Sequence, residues 1–182
     1  MVEDELNDIF DAVLKPLGCK IEPGTDYDDP PLDIRRYARR SVKLHWLPIL
    51  GRGLSVPAIV RQPPDLSFSP AGLTQFVKRT AEAVNGRFPP RMGLTVGLTV
   101  VMLTSEPIQP TDDQTLAAAN RPLPRLRVVP VGLIRLNLAQ ELMATALTTT
   151  PGDPFPEGLR LAEALEPRMR RFLPLLSFDE LN

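Results

Sequence analysis

The 182-residue chain contains a single cysteine, Cys19, and a single histidine, His45. One cysteine cannot form a disulfide within the chain, so the disulfide framework of small secreted proteins is excluded. Zinc sites in proteins are built mainly from cysteine and histidine side chains. One residue of each kind is too few for such a site, and the sequence predicts neither a bound metal nor a cofactor.

Long apolar runs are also missing. The longest strongly apolar stretch is Val96–Leu103, whereas a membrane-spanning helix needs about 20 residues. The first ten residues, MVEDELNDIF, are acidic and lack the basic-then-apolar order of a secretion signal. The sequence therefore predicts a cytoplasmic protein with no membrane association.

Common catalytic and nucleotide-binding motifs are absent. The segment Gly51-Arg52-Gly53 lacks the third glycine of a dinucleotide fingerprint, and no GxxxxGK[ST] loop occurs. The segment GLSVP around Ser55 misses the last glycine of GxSxG. Ser55 and His45 are interpreted as ordinary strand residues, and no catalytic residue is predicted.

Composition and length predict one α/β domain of the α+β type covering residues 1–182. Hydrophobic residues make up 43% and charged residues 24%, which is ordinary for a globular protein. An acidic helix and loop are expected over 1–33, a core of sheet and helices over 34–175, and a tail over 176–182.

Periodicity predicts the individual elements. Helices are expected at 3–17, 70–85, 111–120, 137–148 and 157–175, the last interrupted by Pro167. Strands are expected at 42–50, 54–62, 93–103 and 126–136. The order is α-β-β-α-β-(α)-β-α-α, which favours a mixed sheet of four to five strands packed by helices. Pro48 and Pro57 indicate that the first hairpin lies at a sheet edge.

The net charge of −1 conceals three blocks of charge. Residues 1–33 carry ten acids and two lysines, and residues 34–135 carry fifteen bases and five acids. Residues 136–182 carry four bases and seven acids. Oppositely charged blocks that follow each other in the chain attract, so the acidic first block is predicted to lie against the basic second one.

The strongest local signal is a basic run at the start of the second block, expected as a short helical turn or an irregular segment. Its members are Arg35, Arg36, Tyr37, Arg39 and Arg40. Four guanidinium groups around a tyrosine can bind phosphates and stack on a base. They can equally form ion pairs with the preceding acids, Asp26, Asp28, Asp29 and Asp33, and we favour this second interpretation.

The helix–strand–strand–helix–strand order resembles the core of restriction-type nucleases. That resemblance implies an acid on one strand and an acid-x-Lys pair on the next, which together hold Mg²⁺. The expected strands 42–50 and 54–62 contain no acid. The resemblance therefore implies a scaffold without its metal site.

The function expected from these observations is a non-enzymatic protein-interaction domain of the adaptor or chaperone-like kind. The exposed hairpin edge expected above predicts a homodimer. The alternative is a nucleic-acid-binding module that uses the arginine-rich run as its face. A hydrolase with dispersed carboxylates is the third possibility.

Overall fold

The computed structural model describes residues 1–28, 31–43, 52–87, 94–123, 128–148 and 154–171. Four helices and seven strands lie within these residues. The helices are α1 (Glu3–Leu14), α2 (Pro70–Arg87), α3 (Asp112–Ala119) and α4 (Glu157–Leu165). The strands are β1 (Lys20–Asp28), β2 (Pro31–Lys43), β3 (Arg52–Arg61), β4 (Leu94–Leu103), β5 (Val128–Asn137), β6 (Leu142–Leu147) and β7 (Arg170–Arg171).

The strands form one mixed sheet in which the spatial order is the order along the chain. Strands β1, β2 and β3 form an antiparallel meander. Strands β3, β4 and β5 are parallel, with α2 and α3 as the crossover helices. Strand β6 is antiparallel to β5, and β7 runs parallel to β6. The α/β class predicted from the sequence is confirmed, but the sheet has seven strands instead of four to five.

Helices cover both faces of the sheet. On the α2–α3 face, Leu73 and Phe76 of α2 pack with Leu98 of β4 in one apolar cluster. On the α1–α4 face, Phe10 of α1 and Leu165 of α4 pack over the other side of the sheet in a second cluster. Strand β4 is buried on both faces, as its uncharged and β-branched sequence predicts.

Helices α1 and α2 form for the reasons that the sequence predicts. In α1 the Glu5 carboxylate accepts the Val2 backbone N–H at 3.0 Å, and three acids occupy the first turn. Gly18 follows α1 with φ +80°, a conformation that glycine adopts without steric cost. In α2, Phe76 and Val77 are buried against the sheet, as the stripe of apolar residues predicts.

The segment between α1 and β3 differs from the prediction. Most of the expected loop 22–33 and the expected irregular run 34–40 are strands, β1 and β2. Pro23, Asp26 and Asp28 are tolerated in β1 because, among the described residues, this strand pairs with β2 alone. The predicted strand 42–50, with His45 and Trp46, lies largely outside the described residues.

The predicted hairpin edge is wrong. Strand β3 lies between β2 and β4 in the interior of the sheet. Its pairing with β2 passes from Tyr37↔Ala58 to Arg40↔Ser55, so the register omits Val56 and Pro57. Pro57 has no N–H to donate, which explains the interruption. The interruption is local, and the sheet continues beyond it. The homodimer prediction therefore loses the edge on which it was based.

The predicted helix 137–148 is also wrong, because this segment forms a turn and strand β6. The Asn137 side-chain oxygen accepts the Gln140 N–H at 2.9 Å, and Glu141 has φ 53°. The Asn137 hydrogen bond and the Glu141 backbone angle stabilise a turn that reverses the chain. In β6, Met143 then packs in the α1–α4 cluster and Ala144 packs in the α2–α3 cluster. Likewise, the helical region 157–175 ends at Leu165, because Pro167 interrupts it and β7 follows.

Candidate functional site

The structure places all five predicted site residues on β2, and every arginine among them contacts an acid. The ion pairs are Arg35 with Glu3 and Asp33, Arg36 with Asp11, Arg39 with Glu22, and Arg40 with Glu157. The arginines thus form ion pairs, but mainly with acids other than the four that the sequence analysis named. Of the four acids predicted as their partners, Asp33 takes part, and the other three have no described side chain.

The run does not form one basic face. A register shift between Ile34 and Arg36 places both Ile34 and Tyr37 in the α2–α3 cluster. Arg36 and Arg40 contact acids of α1 and α4 on the opposite face. An irregular strand thus divides the guanidinium groups between the two faces of the sheet.

The acidic first block does lie against the basic second one, as predicted. Asp11 of α1 accepts two hydrogen bonds from Arg36, at 2.7 Å to Nε and 2.6 Å to Nη2. Burial opposes ionisation of Asp11, but the hydrogen bonds and charges of Arg36 and Lys15 outweigh it, so the Asp11 pKa is lowered. Two parallel hydrogen bonds make this pair directional as well as electrostatic.

Glu22 of β1 is the second acid that neutralises the run. The Tyr37 hydroxyl donates to its carboxylate at 2.5 Å, and Arg39 approaches the other oxygen at 2.8 Å. The Tyr37 hydrogen bond is the main cause of the lowered Glu22 pKa, followed by the pairing with Lys20 and Arg39. Tyr37 is itself buried, and a ring in the core cannot stack on a base.

Four charged side chains of alternating sign meet where β2 begins and β3 ends. Arg35 and Arg61 each contact both Glu3 and Asp33, at 3.1 to 3.7 Å. Strand β2 thus carries an acid that the expected strand boundaries missed. The restriction-type nuclease pattern has an acid-x-Lys triplet on the next strand. The triplet beside Asp33 on β3 is Ile59-Val60-Arg61, which has isoleucine in place of the acid. In the described part of the chain, no three potential ligand side chains come together to hold a metal.

A second polar cluster was not predicted, and it lies buried on the α1–α4 face. Arg40 donates from Nε to the Glu157 carboxylate at 2.6 Å and from Nη2 to the Pro154 carbonyl at 3.0 Å. Ser55, Thr99 and Glu157 all have no solvent exposure. Lone polar residues in apolar strands carry little sequence signal, and Glu157 lies 117 residues from its partner.

Glycines allow α4 to approach the sheet closely enough to bury Glu157. A Cβ atom on Gly158 would lie 3.2 Å from the Thr99 hydroxyl oxygen. A Cβ atom on Gly97 would lie 2.5 Å from the Phe155 ring, so this ring rests directly on the β4 backbone. A Cβ atom at Gly97 would collide with the Phe155 ring and one at Gly158 would crowd Thr99, so the two glycines allow this close approach.

Cys19 belongs to the same region. It is buried, and desolvation together with the nearby Glu157 charge raises its thiol pKa to about 11. A thiolate is the reactive form of cysteine, and a raised pKa keeps the group protonated at neutral pH. The geometry is that of a structural thiol.

The two edges of the sheet differ in how far their backbone groups are hydrogen-bonded. On β6, the Thr145 N–H donates to Asp113 of α3 at 2.6 Å, and Asn120 donates to the Ala146 carbonyl at 3.2 Å. Strand β7 pairs with the start of β6, and the side chains of Asp113 and Asn120 bond to backbone groups further along β6. Among the described residues, β1 pairs with β2 alone, and its other side has no neighbouring strand.

A third polar group lies at the carboxyl ends of the parallel strands. Arg135 of β5 is 2% exposed and donates to Asp112 at 2.5 Å and to Glu106 at 2.8 Å. Its guanidinium group also stacks on the Phe68 ring, 3.7 Å from the ring centre. Arg135 further donates to the Pro107 carbonyl, so it holds the segment after β4 against β5.

The described helices include none that is both long enough and apolar enough to cross a membrane. Comparison of the chain with protein-family models, with curated proteins and with solved structures finds no match. The function must therefore be inferred from the geometry of the chain itself.

Proposed function

We propose that this chain is a non-enzymatic protein-interaction domain that binds an extended segment of a partner protein along the open side of β1. The observation that carries the proposal is the contrast between the two sides of the sheet. On the far side of the sheet, β7 pairs with the start of β6 and Asp113 of α3 accepts a backbone hydrogen bond further along β6, whereas β1 presents a nine-residue edge with no strand beside it among the described residues. An open edge is a template for an added strand.

The exposed side chains support a contact made through backbone groups. Val2 is the one large hydrophobic residue that is exposed among those described, at 62%. A hydrophobic docking patch is therefore not what the described surface offers. Strand addition needs no such patch, because main-chain hydrogen bonds provide much of its affinity.

The charge of β1 indicates the chemistry of the partner. The strand contains Lys20 and three acids, Glu22, Asp26 and Asp28, for a net charge of −2. A segment rich in lysine or arginine complements this edge, whereas a second β1 strand opposes it with like charge. The predicted homodimer is thus a less favourable occupant than a basic segment.

The nucleic-acid alternative has less support. It requires a face of free guanidinium groups, but the four arginines of β2 contact five acids and are divided between two faces. The polar residues that suit catalysis, Ser55 and Glu157, have no solvent exposure, which supports a non-enzymatic role.

The proposal can be tested with a displayed library of random peptides of about nine residues. Binders selected on the protein should be enriched in lysine and arginine. A selected peptide should slow hydrogen exchange of backbone amides in residues 20–28, because it pairs with them. Protection confined to another element, or a library that yields no binder, would contradict the proposal.

Charge variants separate edge binding from general attraction. The double change Asp26→Lys and Asp28→Lys should weaken the selected peptide at least tenfold. The matched control is Glu82→Lys with Glu163→Lys, which makes the same charge change at exposed positions of α2 and α4. Equal weakening in both variants would show nonspecific attraction. Sedimentation velocity of the free protein tests the homodimer, and a dimer lost in the β1 variant would make a second copy the occupant.

A further inference from the structure

Three buried oxygen atoms on the α1–α4 face have no hydrogen-bond partner among the described groups. They are the hydroxyl oxygens of Ser55 and Thr99 and the second carboxylate oxygen, Oε2, of Glu157. All three side chains have 0% exposure. Native structures leave few such atoms unpaired, because each unpaired one costs about 1–3 kcal/mol.

The pairing of the strands places the three side chains together. Ser55 lies opposite Arg40 on β2 and beside Gly97 on β4. Thr99 lies two residues beyond Gly97, so its side chain points to the same face. Arg40 brings the Glu157 carboxylate over this part of the sheet, with its guanidinium bonded to Oε1 and not to Oε2.

The start of α4 closes the site from above. Gly158 brings the helix to within contact of Thr99, and Phe155 rests on Gly97. The oxygens are therefore enclosed between the sheet and the helix. A ligand at this position must be small, uncharged, and able both to donate and to accept hydrogen bonds.

We infer that one internal water molecule binds here and bridges Ser55, Thr99 and Glu157, joining α4 to β3 and β4. Water donates one proton to Glu157 Oε2, which can only accept while it is ionised. It donates its second proton to one hydroxyl oxygen and accepts a proton from the other. This makes three hydrogen bonds, the usual number for a buried water.

A cation fits the site less well. Oε1 of Glu157 already binds the Arg40 guanidinium, whose positive charge lies beside the cluster. A second positive charge at this distance is repelled in a region of low dielectric constant. The inference is independent of the proposed function, because the site lies between β3, β4 and the start of α4 and not at the edge of β1.

Near-isosteric variants test the site. Thr99→Val and Ser55→Ala each remove one hydroxyl, and each should lower Tm by about 2–4 °C, because the buried water is left with an unsatisfied hydrogen-bonding group. The matched control is Thr80→Val, also with 0% exposure. The Thr80 hydroxyl donates to the Phe76 carbonyl, which keeps its helical hydrogen bond, so Tm should change by no more than about 1 °C.

The double variant, Ser55→Ala with Thr99→Val, distinguishes one shared water from separate partners. Its loss of Tm should be less than the sum of the two single losses, because either change already weakens the same water site. A crystal structure of the unmodified protein should show one water within about 3.2 Å of all three oxygens. Unchanged or raised Tm in both single variants, or a structure without this water, would overturn the inference.

Discussion

Arg40 and Glu157 form an ion pair that joins β2 to the start of α4, with the carboxylate fully buried. The guanidinium donates from Nε to Oε1 at 2.6 Å, and Nη2, which donates to the Pro154 carbonyl, lies 2.5 Å from the same carboxylate oxygen. A carboxylate at the first residue of a helix also interacts favourably with the helix dipole. The pair therefore fixes both the position of α4 and the depth at which Glu157 is buried.

Removal of either partner should leave a buried charge without compensation. Arg40→Met should lower the free energy of unfolding by about 3–5 kcal/mol, measured by urea denaturation. Arg40→Met combined with Glu157→Leu should be more stable than Arg40→Met alone, because no charge is then left unpaired. As a control, Glu163→Gln breaks the exposed pair with Arg160 and should cost less than about 1 kcal/mol.

Phe76 of α2 packs under the sheet at 2% exposure, beside Val100 and Leu133. Phe76→Ala should cost about 3–5 kcal/mol, because it removes a large buried ring and leaves a cavity. Chemical denaturation measures this loss. A loss below about 0.5 kcal/mol would show that the ring is not part of a packed core.

Gly24 on β1 faces the irregular part of β2. A Cβ atom at this position would lie 1.9 Å from the Ile34 carbonyl oxygen, which is backbone and cannot rotate away. Gly24→Ala should therefore cost about 3 kcal/mol or more in unfolding experiments. Gly132→Ala is the comparison, because its nearest contact is a leucine side chain at 3.2 Å, and it should cost less than Gly24→Ala.

The pairing of Asp11 with Arg36 makes stability depend on pH in the acid range. The Asp11 pKa is lower in the folded state than its ordinary value of 3.8, so the unfolded state binds the proton more tightly. The contribution is fully present above that ordinary value and is lost as pH falls through the folded pKa. Asp11→Asn should be less stable than the unmodified protein at pH 7, and the difference should shrink below about pH 4.

Thermal unfolding of both proteins between pH 7 and pH 2 measures this difference. Asp8→Asn is the control, since Asp8 lies on the same helix and has no ion pair among those described. A gap between Asp11→Asn and the unmodified protein that stays constant down to pH 2 would contradict the assignment of this pH dependence to Asp11.

The sequence by itself determined the elements whose residues carry a complete local pattern. Helices α1 and α2 have apolar residues at helical spacing, and α1 has acids in its first turn, so both were predicted to within about three residues at each end. Strand β4 was predicted because an uncharged β-branched run of ten residues fits only a strand covered on both faces. The attraction between acidic and basic blocks was also predictable, since it depends on net charge and proximity in the chain.

Only the tertiary structure decided the remaining strands and the identity of the partners. Strands β1 and β6 contain residues that locally favour loop or helix, and their strand conformation comes from hydrogen bonds to β2 and β5. The partner of Arg40 is a glutamate 117 residues away, which α4 brings to it because Gly97 and Gly158 permit close packing. Local sequence determines which side chains are charged, but strand order and helix packing determine which of them meet.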